Sequence, residues 1–174
     1  MIDEYNDDRT GWAQFSDDWE MRYRLTRSLT GRVDRRIVFL MLNPSTADAF
    51  VLDPTVNECR KRALALNADV LEVVNLFALR SPYPADLRRR SVGFRGDDPT
   101  NDAAILTACT GAHRVIAAWG NHGALDLRSE RVLAMLAEHR IPLHHLGMTQ
   151  HGHPKHPLAR GRHRIAADQQ PIAW

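Results

Sequence analysis

The feature that most constrains the fold is an uninterrupted apolar run, IVFLML, over residues 37–42. A strand with one face in water alternates polar and apolar residues, whereas a strand covered on both faces is apolar throughout. The run is also far too short to cross a bilayer, which takes about 20 apolar residues. It therefore predicts a central strand of a sheet that is covered on both faces.

The rest of the chain repeats this pattern and alternates it with helical signals. Further strands are predicted over residues 70–77, 114–119 and 141–146, and helices over residues 54–66, 101–110 and 129–139. Strands that alternate with helices form parallel sheets. The predicted fold is α/β, a three-layer α/β/α sandwich with a central, mainly parallel four-stranded sheet. Residues 22–29 add an N-terminal antiparallel edge strand.

A length of 174 residues fits one α/β domain, residues 1–174. Residues 1–19 are polar and are expected to form an N-terminal arm that wraps the domain. Residues 78–99 form a predicted long loop, and residues 147–174 an irregular C-terminal segment that covers the site. Because the N-terminus is acidic and lacks an apolar run, we expect a cytoplasmic protein without membrane contact. The sequence leaves its oligomeric state open.

Charge and cysteine content narrow the possible partners. The formal net charge is only +2 with neutral histidines, whereas duplex binding depends heavily on phosphate neutralisation by Lys and Arg. Cys59 and Cys109 are far apart and neither belongs to a CxxC pair, which excludes a four-cysteine metal or iron–sulfur site. The histidines of residues 151–156 lack a helical i,i+4 pair and a carboxylate companion, so we expect no metal and no cofactor.

Polar residues follow the first central strand, where ligands of open α/β sheets bind. The amide of Asn43 could hold a water or a carbonyl, and Pro44 stiffens the turn. Ser45 and Thr46 offer hydroxyls, and Asp48 offers a carboxylate. The same residue types also form turns, so capping of a turn explains Ser45, Thr46 and Asp48 equally well.

The ends of the next two strands carry candidates of the same kind. Asn75 interrupts an apolar strand, and its amide suits the edge of a base or ties down a neighbouring loop. Phe77 could stack on a ring or belong to the core. Gly120 permits close approach of a ligand to the backbone, or only shapes a tight turn.

The C-terminal segment holds the densest group of titratable side chains in the chain. His153, Lys155 and His156 lie within a few residues of one another. In the predicted fold this segment follows the last strand, so its side chains would lie over the site. His156 or Lys155 is expected to face an anionic group there.

Six ordered blocks of the chain carry a likeness to a known family. They are residues 37–48, 53–55, 75–80, 101–102, 118–120 and 153–158. Together they resemble the bacterial and phage family catalogued as domain of unknown function 1643, over about residues 22–160 of this chain. That label names a family without an activity.

A more distant likeness is to the uracil-DNA glycosylase superfamily. Residues 41–45 are similar to its water-positioning motif Gly-Ile-Asn-Pro-Gly, and Asn75 with residues 80–82 resembles its base-reading Asn and the stretch after it. Residues 119–120 compare with a strand that ends in Leu-Gly, and residues 156–158 (or 153–154) with its minor-groove loop. The chain departs from the superfamily at Ser45, which replaces a glycine, and at Leu158, which replaces a serine. It also lacks the cysteines of the iron–sulfur branches.

This likeness implies a hydrolase that cleaves a C1′–N bond through an oxocarbenium-like state. Asn43 would hold the attacking water, Asp48 would act as a base or stabilise the cation, and His156 or His153 would donate to the leaving base. Asn75 would read the base, with Phe77 or Phe50 stacked on it. The residues expected to bind substrate are Pro44, Ser45, Thr46, Asn75, Phe77, Arg80, Gly120, His153 and Lys155.

Two alternatives use the same pocket. One is an enzyme that acts on a free nucleotide or nucleoside, which the small net charge favours over DNA. The run Arg88-Arg89-Arg90 argues for DNA, although a solvated run explains it as well. The other alternative is a non-catalytic module that binds a nucleobase or nucleotide. Under both enzyme hypotheses Asn43→Ala abolishes turnover and spares binding.

Overall fold

The computed structural model describes residues 1–91 and 93–174, which contain eight strands and four helices. The strands are β1 (Ile2–Tyr5), β2 (Gly11–Phe15), β3 (Arg22–Ser28), β4 (Arg36–Met41), β5 (Val70–Asn75), β6 (Arg114–Ala117), β7 (Leu143–His145) and β8 (Ile172–Ala173). The helices are α1 (Pro54–Ala65), α2 (Ala85–Arg89), α3 (Pro99–Cys109) and α4 (Arg128–Glu138). Short 3-10 segments cover Asn121–Leu127 and Gly161–His163.

All strands join one mixed sheet in the order β1-β2-β3-β5-β4-β6-β7-β8. Strand β4 pairs in parallel with β5 and β6, and β6 pairs in parallel with β7. The other four pairings are antiparallel. The predicted three-layer sandwich around a mainly parallel four-stranded sheet is therefore wrong, because most strand pairings in the eight-stranded sheet are antiparallel.

The N-terminal residues account for most of this difference. Residues 1–19, predicted as an arm, form the hairpin β1–β2, and β2 pairs with β3. Because β3 also pairs with β5, the predicted edge strand lies inside the sheet. The inward positions of β2 are Gly11, Ala13 and Phe15. Two of these are small, so the period-two pattern of a strand is weak in the sequence.

Strand β4 sends alternate side chains into two core clusters on opposite faces of the sheet. Ile37 and Phe39 pack in the cluster that contains Cys59 of α1. Val38 packs in the other cluster, together with Ile105 of α3 and residues of α4. The prediction that this strand is covered on both faces is confirmed, since residues 37–41 are at most 3% exposed.

Helix α1 follows β4 and begins as the sequence predicts. Asp53 is its N-cap, and the Oδ1 of Asp53 accepts a hydrogen bond from the Val56 N–H at 2.8 Å. The loop predicted over residues 78–99 contains α2, and position 92 of that loop lies outside the described residues. In the described part of the chain no helix combines the length and apolar character needed to cross a membrane.

Gly96→Ala is expected to destabilise the fold more than Gly111→Ala, although both glycines have φ +68°. A Cβ at Gly96 would lie 2.4 Å from the Ala78 Cβ, whereas a Cβ at Gly111 meets nothing within 4 Å. Both variants carry the left-handed strain of about 1–2 kcal/mol, and only Gly96→Ala adds overpacking of about 1–3 kcal/mol. Urea unfolding of both variants measures the difference. Equal losses would show that the residues around Ala78 yield without cost.

Candidate functional site

A cavity of about 530 Å³ opens at the carboxyl ends of the parallel strands. Its wall includes the first residue of β3, the turn after β4, the first turn of α1, the end of β5, parts of residues 81–84, the segment after β6, and parts of residues 149–163. Cavities of roughly 300–1,000 Å³ suit small-molecule ligands. Parallel strands deliver residues that are distant in sequence to this one edge of the sheet.

Half of the predicted site residues line this cavity. Those that line it are Asn43, Ser45, Asn75, Gly120, Lys155 and His156. Those that lie elsewhere among the described residues are Pro44, Thr46, Asp48, Phe77, Arg80 and His153. At least one predicted residue from each of the four strand ends therefore lines the cavity, and the other predicted residues do not.

The amide nitrogen of Asn43 holds a loop in place. Its Nδ2 donates to the backbone carbonyl oxygens of Pro44 at 3.0 Å and Ser81 at 2.9 Å, with a longer contact to Leu79 at 3.4 Å. The Oδ1 of Asn43 accepts no hydrogen bond from the described residues. Only this oxygen is free to face a ligand or a water in the cavity.

A different carboxylate from the predicted one lines the cavity. Asp48 caps a turn, because its Oδ1 accepts from the N–H groups of Phe50 at 2.9 Å and Val51 at 2.8 Å. Asp53 lines the cavity while it caps α1. The sequence marked Asp53 only as a cap. The first helix after a central strand points its N-terminus at the ligand edge of the sheet, and that rule could have identified Asp53.

Phe77 and Arg80 contact other parts of the protein and do not face a ligand. Phe77 is fully buried in the core cluster on the α3 side of the sheet, which matches the core alternative considered for it. The Arg80 guanidinium donates to the Trp19 carbonyl at 3.1 Å and lies 4.8 Å from the centre of the Phe15 ring. Neither side chain lines the cavity.

Backbone hydrogen bonds bring the C-terminal segment to the cavity. The Gly120 N–H donates to the Pro154 carbonyl at 2.9 Å, and the Lys155 N–H donates to the Gly147 carbonyl at 2.9 Å. Gly120 has φ +70°, a conformation that favours glycine. This geometry places Lys155 and His156 beside the end of β6.

Arg22 is a cavity residue that sequence reasoning missed. It lines the cavity although it is only 2% exposed. Its Nη1 donates to the Ala47 carbonyl at 2.9 Å, and its Nη2 donates to the Asn75 Oδ1 at 3.2 Å. Burial lowers the pKa of Arg22 to about 10. No sequence signal distinguishes Arg22 from Arg24 on the same strand. Because β3 was predicted to lie at an edge of the sheet, neither arginine was expected to be buried.

His156 presents one hydrogen-bond donor in its neutral form. Its Nδ1 accepts from the Leu158 N–H at 3.1 Å, so the ring proton of the neutral form resides on Nε2. Burial lowers the pKa of His156 from its ordinary value, and the Asp53 carboxylate opposes this shift in part. Burial therefore favours the neutral imidazole, and its Nε2–H, which has no partner among the described residues, is available at the cavity.

Asp53→Asn is expected to lower the pKa of His156 further, because the Asp53 charge favours the imidazolium. NMR titration of the imidazole signals in the wild type and in this variant measures the shift. Asp48→Asn is the control, since Asp48 lies outside the cavity wall. A His156 pKa that stays unchanged in Asp53→Asn would show that these two groups are not coupled.

The charged residues that line the cavity are mostly cationic. Among the described residues these are Arg22, Lys155 and Arg160, against one carboxylate, Asp53. The described part of the chain contains no group of three or more His, Cys, Asp or Glu side chains that could hold a metal ion. The cavity therefore offers cationic and amide groups to a ligand.

Comparisons with known proteins identify a family. A family model described as "Protein of unknown function (DUF1643)" matches residues 22–158. Neither the curated proteins nor the solved structures give a match, so the resemblance to uracil-DNA glycosylases gains no support from them. The matched segment includes strands β3 to β7, all four helices and most of the cavity wall. Because this segment covers well over half of its length, the chain belongs to the DUF1643 family.

Proposed function

We propose that the chain hydrolyses the N-glycosidic bond of a nucleobase-containing molecule bound in this cavity. The observation that supports this proposal is that one cavity joins a carboxylate, Asp53, a neutral imidazole donor, His156, and the amide of Asn75. These are the groups that such a hydrolysis requires: a base for water, a donor for the leaving base and a group that reads the base edge.

The leaving base takes the electron pair of the C1′–N bond and becomes negatively charged. The Nε2–H of His156 donates to this base and transfers a proton to it, or stabilises the anion until solvent supplies the proton. The Nδ2 of Asn75 donates to no described residue, since Arg22 holds only its Oδ1. That nitrogen is free to donate to a carbonyl of the base.

The oxocarbenium ion is captured by water. The Asp53 carboxylate takes a proton from the water as the water oxygen bonds to C1′, and its negative charge stabilises the cation before capture. The Oδ1 of Asp53 already accepts the Val56 N–H, so Oδ2 is the oxygen available for the water. The Asn43 Oδ1 supplies a second acceptor for that water.

The test is release of free base. The full chain is incubated with nucleosides, nucleoside 5′-monophosphates, and single- and double-stranded DNA that contains uracil, and the products are separated by chromatography. Time-dependent release of a free base from any of these supports the proposal, and the preferred substrate separates a free nucleotide from DNA. Binding without release across the whole panel overturns it.

A second candidate function is a module that binds a nucleobase or nucleotide without cleaving it. The hydrogen bonds of Asn43 and Asp48 favour it, because both side chains hold turns that the fold needs. For the same reason Asn43→Ala no longer separates an enzyme from a binding module, since it also frees the loop at Ser81. Binding without base release, measured on the same panel, selects this function.

A further inference from the structure

We propose that Arg22 recognises an anion and that the cavity takes a phosphate monoester, with the phosphate against the Arg22 guanidinium. This inference rests on the proposed function for the nucleobase-containing part of the ligand. It adds that the same ligand carries a phosphate. The argument for the phosphate itself depends on Arg22 and the cavity charges, and not on bond cleavage.

The first reason is that Arg22 forms no ion pair among the described residues, although the charges of Asp53 and Asp48 favour its charged form from a greater distance. A buried charge is normally paired with an opposite charge. Arg22 instead donates to two neutral oxygens, those of Ala47 and Asn75. Its Nε has no hydrogen-bond partner among the described residues, and none of their ion pairs includes Arg22. Arg22 thus lines the cavity with a guanidinium group that lacks part of its hydrogen-bond acceptors, and an oxyanion bound there would supply them.

The second reason is the sum of the charges around the cavity. Lys155 and Arg160 line it together with Arg22, and Asp53 is the one carboxylate among the described lining residues. With neutral histidines the wall has an excess of two positive charges. A phosphate monoester carries about −1.5 to −2 at neutral pH, which matches this excess. A carboxylate ligand would leave one cation of the wall without a partner.

Arg27, on the same strand, also lacks an ion pair among the described residues, but it differs from Arg22 in that its Nε is not a buried atom without a partner and its side chain lies away from the cavity. It donates to the carbonyl oxygens of Thr26 at 2.8 Å and of Asp48, and it does not line the cavity. Arg27 is also buried, at 7% exposed. Arg22 and Arg27 thus lie on the same strand, are both buried, and each donate to backbone carbonyl oxygens. Only Arg22 lines the cavity. Arg27 is therefore the matched control.

The test compares ribose 5-phosphate with ribose, which contain no glycosidic bond to a base. Calorimetric titration at constant ionic strength is carried out on the wild type, Arg22→Met and Arg27→Met. We expect the wild type to bind ribose 5-phosphate at least roughly tenfold more tightly than ribose, since charged hydrogen bonds contribute this much. Arg22→Met is expected to lose affinity for ribose 5-phosphate by roughly 10–100-fold, and Arg27→Met to retain it.

Two outcomes of this titration overturn the proposal. One is equal affinity of the wild type for ribose and ribose 5-phosphate, and the other is unchanged affinity in Arg22→Met. Met keeps a side chain of similar length, but it leaves the Ala47 carbonyl and the Asn75 Oδ1 without their donor, so circular dichroism of the variant accompanies the titration. Base release can fail while phosphate binding succeeds, or succeed while it fails, so the two proposals are tested separately.

A second measurement needs no variant. A crystal structure of the wild type with tungstate, a heavy analogue of phosphate, is expected to show the anion within hydrogen-bond distance of Arg22. Tungstate bound only at other basic groups, such as the exposed Arg162 or Arg164, would overturn the proposal. This readout holds even where Arg22→Met fails to fold.

Discussion

Asp53→Asn is expected to slow base release by roughly 10²–10⁴-fold, the usual contribution of a general base, while α1 stays folded. Asn cannot take the proton from water, but it is as good an N-cap as Asp, so the hydrogen bond to the Val56 N–H persists. Steady-state kinetics of base release on the preferred substrate, with circular dichroism of the variant, measures both effects.

The chain supplies a close control for this variant. Asp98-Pro99-Thr100 repeats the sequence of Asp53-Pro54-Thr55, and Asp98 caps α3 with hydrogen bonds from the N–H groups of Thr100 and Asn101. Asp98 does not line the cavity. Asp98→Asn should therefore leave the rate unchanged. A loss of rate that is equal in both variants would assign the effect to helix capping and remove Asp53 from the chemistry.

The central strands and the long helices could be predicted from the sequence because their signals are local. The apolar run at residues 37–42 and the cap Asp53-Pro54 indicate β4 and α1 to within one residue. The hairpin β1–β2 could not be predicted in the same way, because Gly11 and Ala13 fill inward positions that usually hold large apolar residues. The error in the sheet follows from that hairpin, which carries β3 away from the edge.

The site residues also differ in whether a local sequence pattern indicates them. Asn75 and His156 could be predicted, because the ends of central strands and a segment after the last strand meet at one edge of the sheet. Arg22 could not, since its burial depends on the pairing of β3 between β2 and β5. The roles of Asn43 and Asp48 also depend on contacts with loops, such as the Ser81 carbonyl, that no local pattern reveals.

Trp119→Ala is expected to give the largest loss of stability, about 3–5 kcal/mol, the usual cost of truncating a buried Trp or Phe. Trp119 is 2% exposed, forms part of the cavity wall and lies against Gly123, where a Cβ would be 2.1 Å from its ring. Because Gly123 has no side chain, it cannot fill the cavity that removal of the Trp119 indole leaves. Thermal unfolding should therefore show a Tm lower by about 6–20 °C for a chain of this size.

Trp174→Ala separates the burial of Trp119 from its aromatic contact. The two rings lie 5.7 Å apart, but Trp174 is 48% exposed. Its removal loses the contact with the Trp119 ring, about 0.5–1.5 kcal/mol, an edge contact with the His145 ring, and little buried area. Trp174→Ala should thus unfold only slightly below the wild type, with ribose 5-phosphate binding retained, whereas Trp119→Ala weakens both. Equal loss of stability in the two variants would mean that the ring contacts of Trp174, and not the burial of the Trp119 indole, account for the loss.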